Sequence, residues 1–230
     1  MRERNDDYLV TPRYLAGVDD TSLVPDLLKN ADWNTFNDDT GVAHHYSPDH
    51  RYCVSHPRLC QDATSGETRP AWHIWERRRV PEAATWQAVI TTACPPEIVA
   101  DFVEPLLTPQ PAHQPMDSVT FITEGLIDAD WTLDVAGGAI TYTNPAGQLA
   151  ARYQPPPAWA TLHDLRTVAG WDVHARVRPG RVLWRAGFSA TTPAHVIKTF
   201  CDAVLNPEPV PRYANDIDPA LRPHLTIRRG

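Results

Sequence analysis

Trp171-Asp172-Val173-His174-Ala175-Arg176-Val177, a turn at Arg178-Pro179-Gly180-Arg181, and Val182-Leu183-Trp184-Arg185-Ala186-Gly187-Phe188 read as a β-hairpin, after which Pro193 opens a helix that runs to about Leu205. The reading rests on period two. Trp171, Val173, Ala175 and Val177 share one face, and Val182, Trp184, Ala186 and Phe188 continue it, so that face is expected to bury against the helix. A second copy lies upstream. Trp72 precedes Trp171 by 99 residues, while Trp86 and Trp184, Pro95 and Pro193, Phe102 and Phe200, and Leu107 and Leu205 are each 98 apart. A nearly constant offset through two strands and a helix marks a duplicated supersecondary unit.

The repeat begins before the hairpin. Ala31-Asp32-Trp33 returns as Ala129-Asp130-Trp131, again 98 residues on. Gly41 to His45 and Arg51 to Ser55 read as strands joined through Tyr46-Ser47-Pro48-Asp49-His50. Their later counterparts are Gly138 to Tyr142 and Gln148 to Tyr153, joined through Thr143-Asn144-Pro145-Ala146-Gly147 at an offset of 97. Ser-Pro-Asp-His and Asn-Pro-Ala-Gly are turn formers between extended runs, so each pair is read as a hairpin. Leu23, Val24, Leu27 and Leu28 have helical spacing, with Asp20 or Thr21 as cap and Pro25 in the first turn. Tyr8 to Gly17 reads as a short strand and turn at a sheet edge or lid, because Pro12 cannot donate to an interior ladder.

These readings predict an α+β chain of two tandem repeats, each an antiparallel sheet of about four strands packed with helices. Residues 8–107 form the first repeat and 117–206 the second, with a Pro-rich linker at 108–116. Residues 207–230 carry five prolines and are expected to be an extended, partly mobile tail.

Composition narrows the function classes. Lys and Arg number 21 against 28 Asp and Glu, and residues 1–115 hold 10 basic and 17 acidic side chains against 11 and 11 in residues 116–230. A phosphate-binding surface would therefore have to be local. No apolar run approaches the roughly 18 residues of a membrane span, and Met1 to Asp7 lacks the apolar core of a signal peptide. A cytoplasmic location without membrane partners is expected. Cys53, Cys60, Cys94 and Cys201 are too few and too scattered for a disulfide framework.

Tyr8 to Gly17, then Ser47-Pro48-Asp49-His50-Arg51-Tyr52, then Trp184, Phe188, Thr192-Pro193 and Phe200 resemble the SPDY family, an actinobacterial domain of unknown function (number 317) often present in tandem. The resemblance covers nearly all of residues 8–212. Asn144-Pro145-Ala146 departs from the family's Ser-Pro-Asp, so no role requiring that carboxylate is expected in both units. The resemblance implies no activity. The strands-then-helix unit also resembles the layout of Whirly and related coactivator-like proteins that bind single-stranded DNA, an analogy of fold alone.

Period two puts Asp172, His174, Arg176, Arg178 and Arg185 on the outward face of the later hairpin, with Trp75, Arg77 and Gln87 at the corresponding positions of the first. Rings that stack on bases and guanidinium groups that meet phosphates hold single-stranded nucleic acid, and a solvated sheet face is the alternative. His174, Arg176, Arg178, Arg185, Trp75 and Arg77 are the candidate binding residues. The competing function is protein interaction or self-association through the acidic first unit, as a module of a cytosolic or mobile-element-associated system.

His44, His45, His50, Cys53, His56 and Cys60 supply metal-ligand types within a short span. Paired Cys-x-x-Cys knuckles are absent and alternate strand residues point to opposite faces, so no metal is expected, with Cys53 buried and the histidines on the surface. Ser47, Asp49 and His50 have the residue types of a hydrolytic triad, but neighbours in one tight turn cannot reach its geometry. Asp49 is expected to cap its own turn. A non-enzymatic chain without a cofactor is the resulting expectation.

Overall fold

The computed structural model describes residues 7–18, 22–61, 68–79, 82–108, 119–158, 160–161, 169–178 and 180–230. Most of the expected linker and both candidate helix caps, Asp20 and Thr21, lie outside them. After β1 (Asp7–Thr11) comes α1 (Leu23–Asn30), then five strands, β2 (Asn34–Asn37), β3 (Ala43–Tyr46), β4 (Tyr52–Gln61), β5 (Thr68–Glu76) and β6 (Trp86–Thr91), then α2 (Pro96–Val103). The second half repeats this order. It runs α3 (Val119–Asp128), β7 (Thr132–Ala136), β8 (Ala139–Thr143), β9 (Leu149–Tyr153), β10 (Ala169–Arg178), β11 (Arg181–Ser189) and α4 (Ala194–Leu205).

Two corrections follow. Among the described residues each unit has five strands where about four were expected, and the units share one antiparallel sheet of ten strands in the order β2-β3-β4-β5-β6-β11-β10-β9-β8-β7. The physical reason is the edge: β6 and β11 would each expose a row of unpaired backbone groups, and pairing them removes both. Ala88 faces Phe188, Val89 faces Gly187 and Ile90 faces Ala186. Since 88 and 186, 89 and 187, and 90 and 188 are repeat equivalents, a pseudo-two-fold axis passes between Val89 and Gly187. The helices obey the same axis: the equivalent rings Phe102 and Phe200 touch edge to face at 5.4 Å.

One face of the sheet carries the core. Trp72, Ile74, Trp86, Ala88, Trp171, Val173, Trp184 and Phe188 pack there with Ile98, Phe102, Ile197 and Phe200 from α2 and α4. Trp86 and Trp184 are each 1% exposed, in equivalent places. Their indole N–H groups find different acceptors, the Glu76 carboxylate and the Tyr14 carbonyl. The Ala-Asp-Trp triplet ends α1 and α3. Asp32 and Asp130 both adopt φ of 59°. Trp33 N–H then donates to Leu28 O at 3.1 Å and Trp131 N–H to Leu126 O at 3.1 Å, the backbone closure of a Schellman motif with Asp in the left-handed position.

The expected tail is a third correction. Residues 207–230 contain β12 (Val210–Tyr213) and β13 (Thr226–Arg229), which flank β1 in a three-stranded sheet. β1 is therefore central, where an edge or lid was expected. Pro211 is accommodated because β12 pairs on one side only. Arg212 docks this sheet on α2: its guanidinium is fully buried, bidentate on Glu97 at 2.6 and 2.8 Å, and donates to the carbonyls of Ala16, Gly17 and Pro211. Among the described residues no helix is long and apolar enough to cross a membrane.

Candidate nucleic-acid interface

The described helices all pack on one face, and on the other face, which carries no helix among the described residues, strand register places the side chains in rows. Phe36, His44, Ser55, His73 and Val89 form one row through the first half. Gly187, Asp172, Arg152, Thr141 and Asp134 continue it through the second. At the centre a Cβ on Gly187 would meet nothing within 4 Å, so the floor there is open.

The first half carries an aromatic ladder. Phe36 stacks toward His44 with ring centroids 6.3 Å apart, and His44 toward Tyr46 at 6.4 Å. Trp75 meets Tyr46 edge-on at 6.1 Å. The Arg77 guanidinium lies 5.1 Å from the Trp75 ring centre and 5.9 Å from that of Tyr46, a double cation–π contact. Trp75 and Arg77, expected to act together, are thus adjacent. Phe36, His44 and Tyr46 were missed by the sequence reading, although the spacing of His44 and Tyr46 on one strand carried the signal.

His44 is held from both sides. The Asp38 carboxylate can only accept, so His44 Nε2 donates to it at 3.1 Å, while Nδ1 sits 2.8 Å from the Ser55 hydroxyl. Hydrogen bonds from Thr40, then His44, then Val42 hold the Asp38 carboxyl well below the usual range. This has the connectivity of an Asp-His-Ser relay. Ser55, however, is 0% exposed, so its hydroxyl orients the ring and meets no substrate.

The second half is ionic. Asp172 accepts from His174 Nδ1 at 3.0 Å and from Arg185 Nε. Burial opposes ionisation of Asp172, but those two hydrogen bonds hold its carboxyl below the usual range. Arg185 and His174 are therefore committed to Asp172. Arg176 Nε donates to Gly147 O at 3.0 Å, and Arg178 is exposed. Across β5, β6, β11 and β10, three inter-strand steps of about 4.8 Å separate the strands of Trp75 and His174 by roughly 14 Å, and the register offsets the two residues by four positions, about a further 13 Å, along the strands.

The Ser-Pro-Asp-His turn is structural. Ser47 Oγ donates to Asp49 at 2.6 Å and accepts from Tyr52 N–H, while Asp49 Oδ1 accepts from Arg51 N–H at 3.0 Å, the turn cap expected of it. In the other half Asn144 Oδ1 alone accepts from the equivalent amides of Gln148 and Leu149, at 2.8 and 3.0 Å. One amide replaces a hydroxyl and a carboxylate, which explains the departure from Ser-Pro-Asp. His50 takes positive φ where the second turn has Gly147.

Among the described residues no group of three or more His, Cys, Asp or Glu side chains is placed to hold a metal. Cys53 is buried as expected. His45 corrects the expectation of surface histidines: it is 4% exposed, on the helix side of β3, with Nδ1 3.0 Å from Thr35 Oγ1 and, among the described residues, no partner for Nε2. Alternation along β3 drives it inward. The Cys60 side chain lies outside the described residues.

The family model described as SPDY, a domain of unknown function (DUF317), matches residues 46–112 and 143–210, together more than half of the chain. The chain belongs to the SPDY family. Its two SPDY matches start 97 residues apart and end 98 apart, the offsets of the turn and of the helix. The first SPDY match takes in Tyr46, Trp75 and Arg77; the second takes in all four of His174, Arg176, Arg178 and Arg185. No curated protein matches the chain, and no solved structure does.

Proposed function

We propose that the face of the sheet opposite the described helices binds single-stranded nucleic acid without catalysis. Bases stack on the first half and phosphates meet the second. The observation that carries this reading is the ladder of Phe36, His44, Tyr46 and Trp75, clamped by Arg77, which offers flat rings at an accessible surface where a purely structural face would bury or omit them. Phe36 is 61% exposed. Base–ring stacking contributes about 1–3 kcal/mol per base and tolerates any sequence. Arg176 and Arg178 are the phosphate contacts, since Arg185 is engaged by Asp172. The order of strands then helix in each half supports the analogy with Whirly and coactivator-like proteins, at the level of fold alone.

Fluorescence anisotropy with labelled single-stranded oligonucleotides at low salt tests the reading. Saturable binding is expected, weakened about tenfold or more by Tyr46→Ala plus Trp75→Ala and made less salt-dependent by Arg176→Ala plus Arg178→Ala. Absence of binding at low salt, or binding indifferent to both pairs, refutes it.

A further inference from the structure

We propose that the free edge of β7 docks an extended, cationic segment of a partner protein, which adds to the sheet as a strand beyond the present ten. Among the described residues β7 pairs only with β8, and all five of its residues are exposed. Its outer row of N–H and C=O groups is therefore available for strand addition.

The side chains point to a partner. Leu133 and Val135 are 57% and 65% exposed on the helix side of the strand, opposite Tyr142 and Ile140, and Ile127 at the end of α3 is 53% exposed. The molecule contains its own control. Ninety-eight residues earlier, the equivalents of Ile127, Leu133 and Val135 are Lys29, Thr35 and Asn37. The fold thus builds the helix side of the equivalent edge from polar side chains, and nothing in its own packing requires the apolar set there. Alternating apolar residues at a free edge match a strand that presents its own apolar residues at every second position.

Charge selects the occupant. Glu124, Asp128, Asp130 and Asp134, all exposed, lie on the same helix end and strand. A second copy pairing antiparallel through β7 would bring Asp134 toward Asp134 and double the acidic set, so like charge disfavours self-pairing. A cationic segment meets the carboxylates favourably and covers Leu133 and Val135.

Short peptides alternating lysine with valine, lysine with serine, and glutamate with valine, titrated into isotopically labelled full-length chain, test this by NMR. The lysine–valine peptide is expected to bind saturably, with amide shifts centred on residues 132–136. Leu133→Lys plus Val135→Lys weakens it about tenfold or more, while Phe36→Lys on the opposite edge leaves it unchanged. Equal binding by lysine–serine or glutamate–valine peptides, shifts elsewhere, no binding, or a dimer formed through β7 in sedimentation each overturns the proposal. Nucleic-acid binding is read on the other face, so the two proposals fail independently.

Discussion

Arg212 is where a single substitution reports most on how the chain is held together. Its side chain is 0% exposed, it makes two hydrogen bonds to Glu97, itself 19% exposed, and its remaining donors reach the carbonyls of Ala16, Gly17 and Pro211. Arg212→Ala leaves the carboxylate and three carbonyls without these donors and opens a space the size of a guanidinium. Removing one partner of a buried ion pair costs about 3–5 kcal/mol, because the other charge stays desolvated. At roughly 2–4 °C per kcal/mol for a chain of this size, the melting temperature should fall by about 6–20 °C. If the small sheet comes away before the rest unfolds, hydrogen exchange will show it, with amides of β1, β12 and β13 losing protection while those of β6 and β11 keep theirs. The double variant Glu97→Leu plus Arg212→Met should recover most of the loss, since an apolar pair of similar volume removes the unpaired charge. A loss below about 1 kcal/mol by thermal and urea denaturation, or no rescue by the double variant, refutes the assignment of the pair as the latch.

Three further predictions follow from local physics. Burial, and secondarily the nearby His45, lowers the His56 pKa to about 4, where it stacks on Trp72 at 3.7 Å. The neutral folded form is then fully favoured above the unfolded pKa of about 6.5, and stability is lost as pH falls from there toward 4; discounted for partial exposure, this is about 1–2 kcal/mol, and His56→Gln should flatten the urea midpoint between pH 7 and pH 5. Asn144→Ala removes the acceptor of two turn amides and the donor to Tyr14, so it should cost about 2–3 kcal/mol in urea denaturation, more than Ser47→Ala, whose turn keeps Asp49. Asp130 holds φ of 59° at the end of α3, so Asp130→Ala should melt lower than Asp130→Gly by about 1 kcal/mol, and the reverse order contradicts the left-handed assignment.

The duplication was legible because covalent spacing preserves it. Tryptophan, proline and phenylalanine fall at fixed offsets, and those residues are the ones that pack in equivalent places. The merging of two units into one sheet was not legible. It depends on β6 meeting β11, and nothing in Trp86–Thr91 or Arg181–Ser189 states which strand lies beside which. The last segment was misread for a different reason. Its prolines argue against a central strand, yet β12 needs only one ladder partner, and Arg212 is buried because Glu97 waits 115 positions away. Period two placed Asp172, His174 and Arg185 on one face of the later hairpin, but the irregularity between Ala175 and Arg176 pairs Arg176 with Val182, which is 43% exposed where burial was expected, and the commitment of Arg185 and His174 to Asp172 needs side-chain geometry. The aromatic ladder is not legible along the chain because its members come from β2, β3 and β5, and only strand pairing brings Phe36 and Trp75 beside His44 and Tyr46.

Which face of the sheet meets nucleic acid is open to direct measurement. Photo-crosslinking of a halogenated single-stranded oligonucleotide to the full chain, read by mass spectrometry, tests this directly. Adducts are expected on Tyr46 and Trp75, with Arg77-containing peptides protected from proteolysis. Adducts confined to the helix layer or the three-stranded sheet, or none at an oligonucleotide concentration that saturates the anisotropy signal, would contradict it.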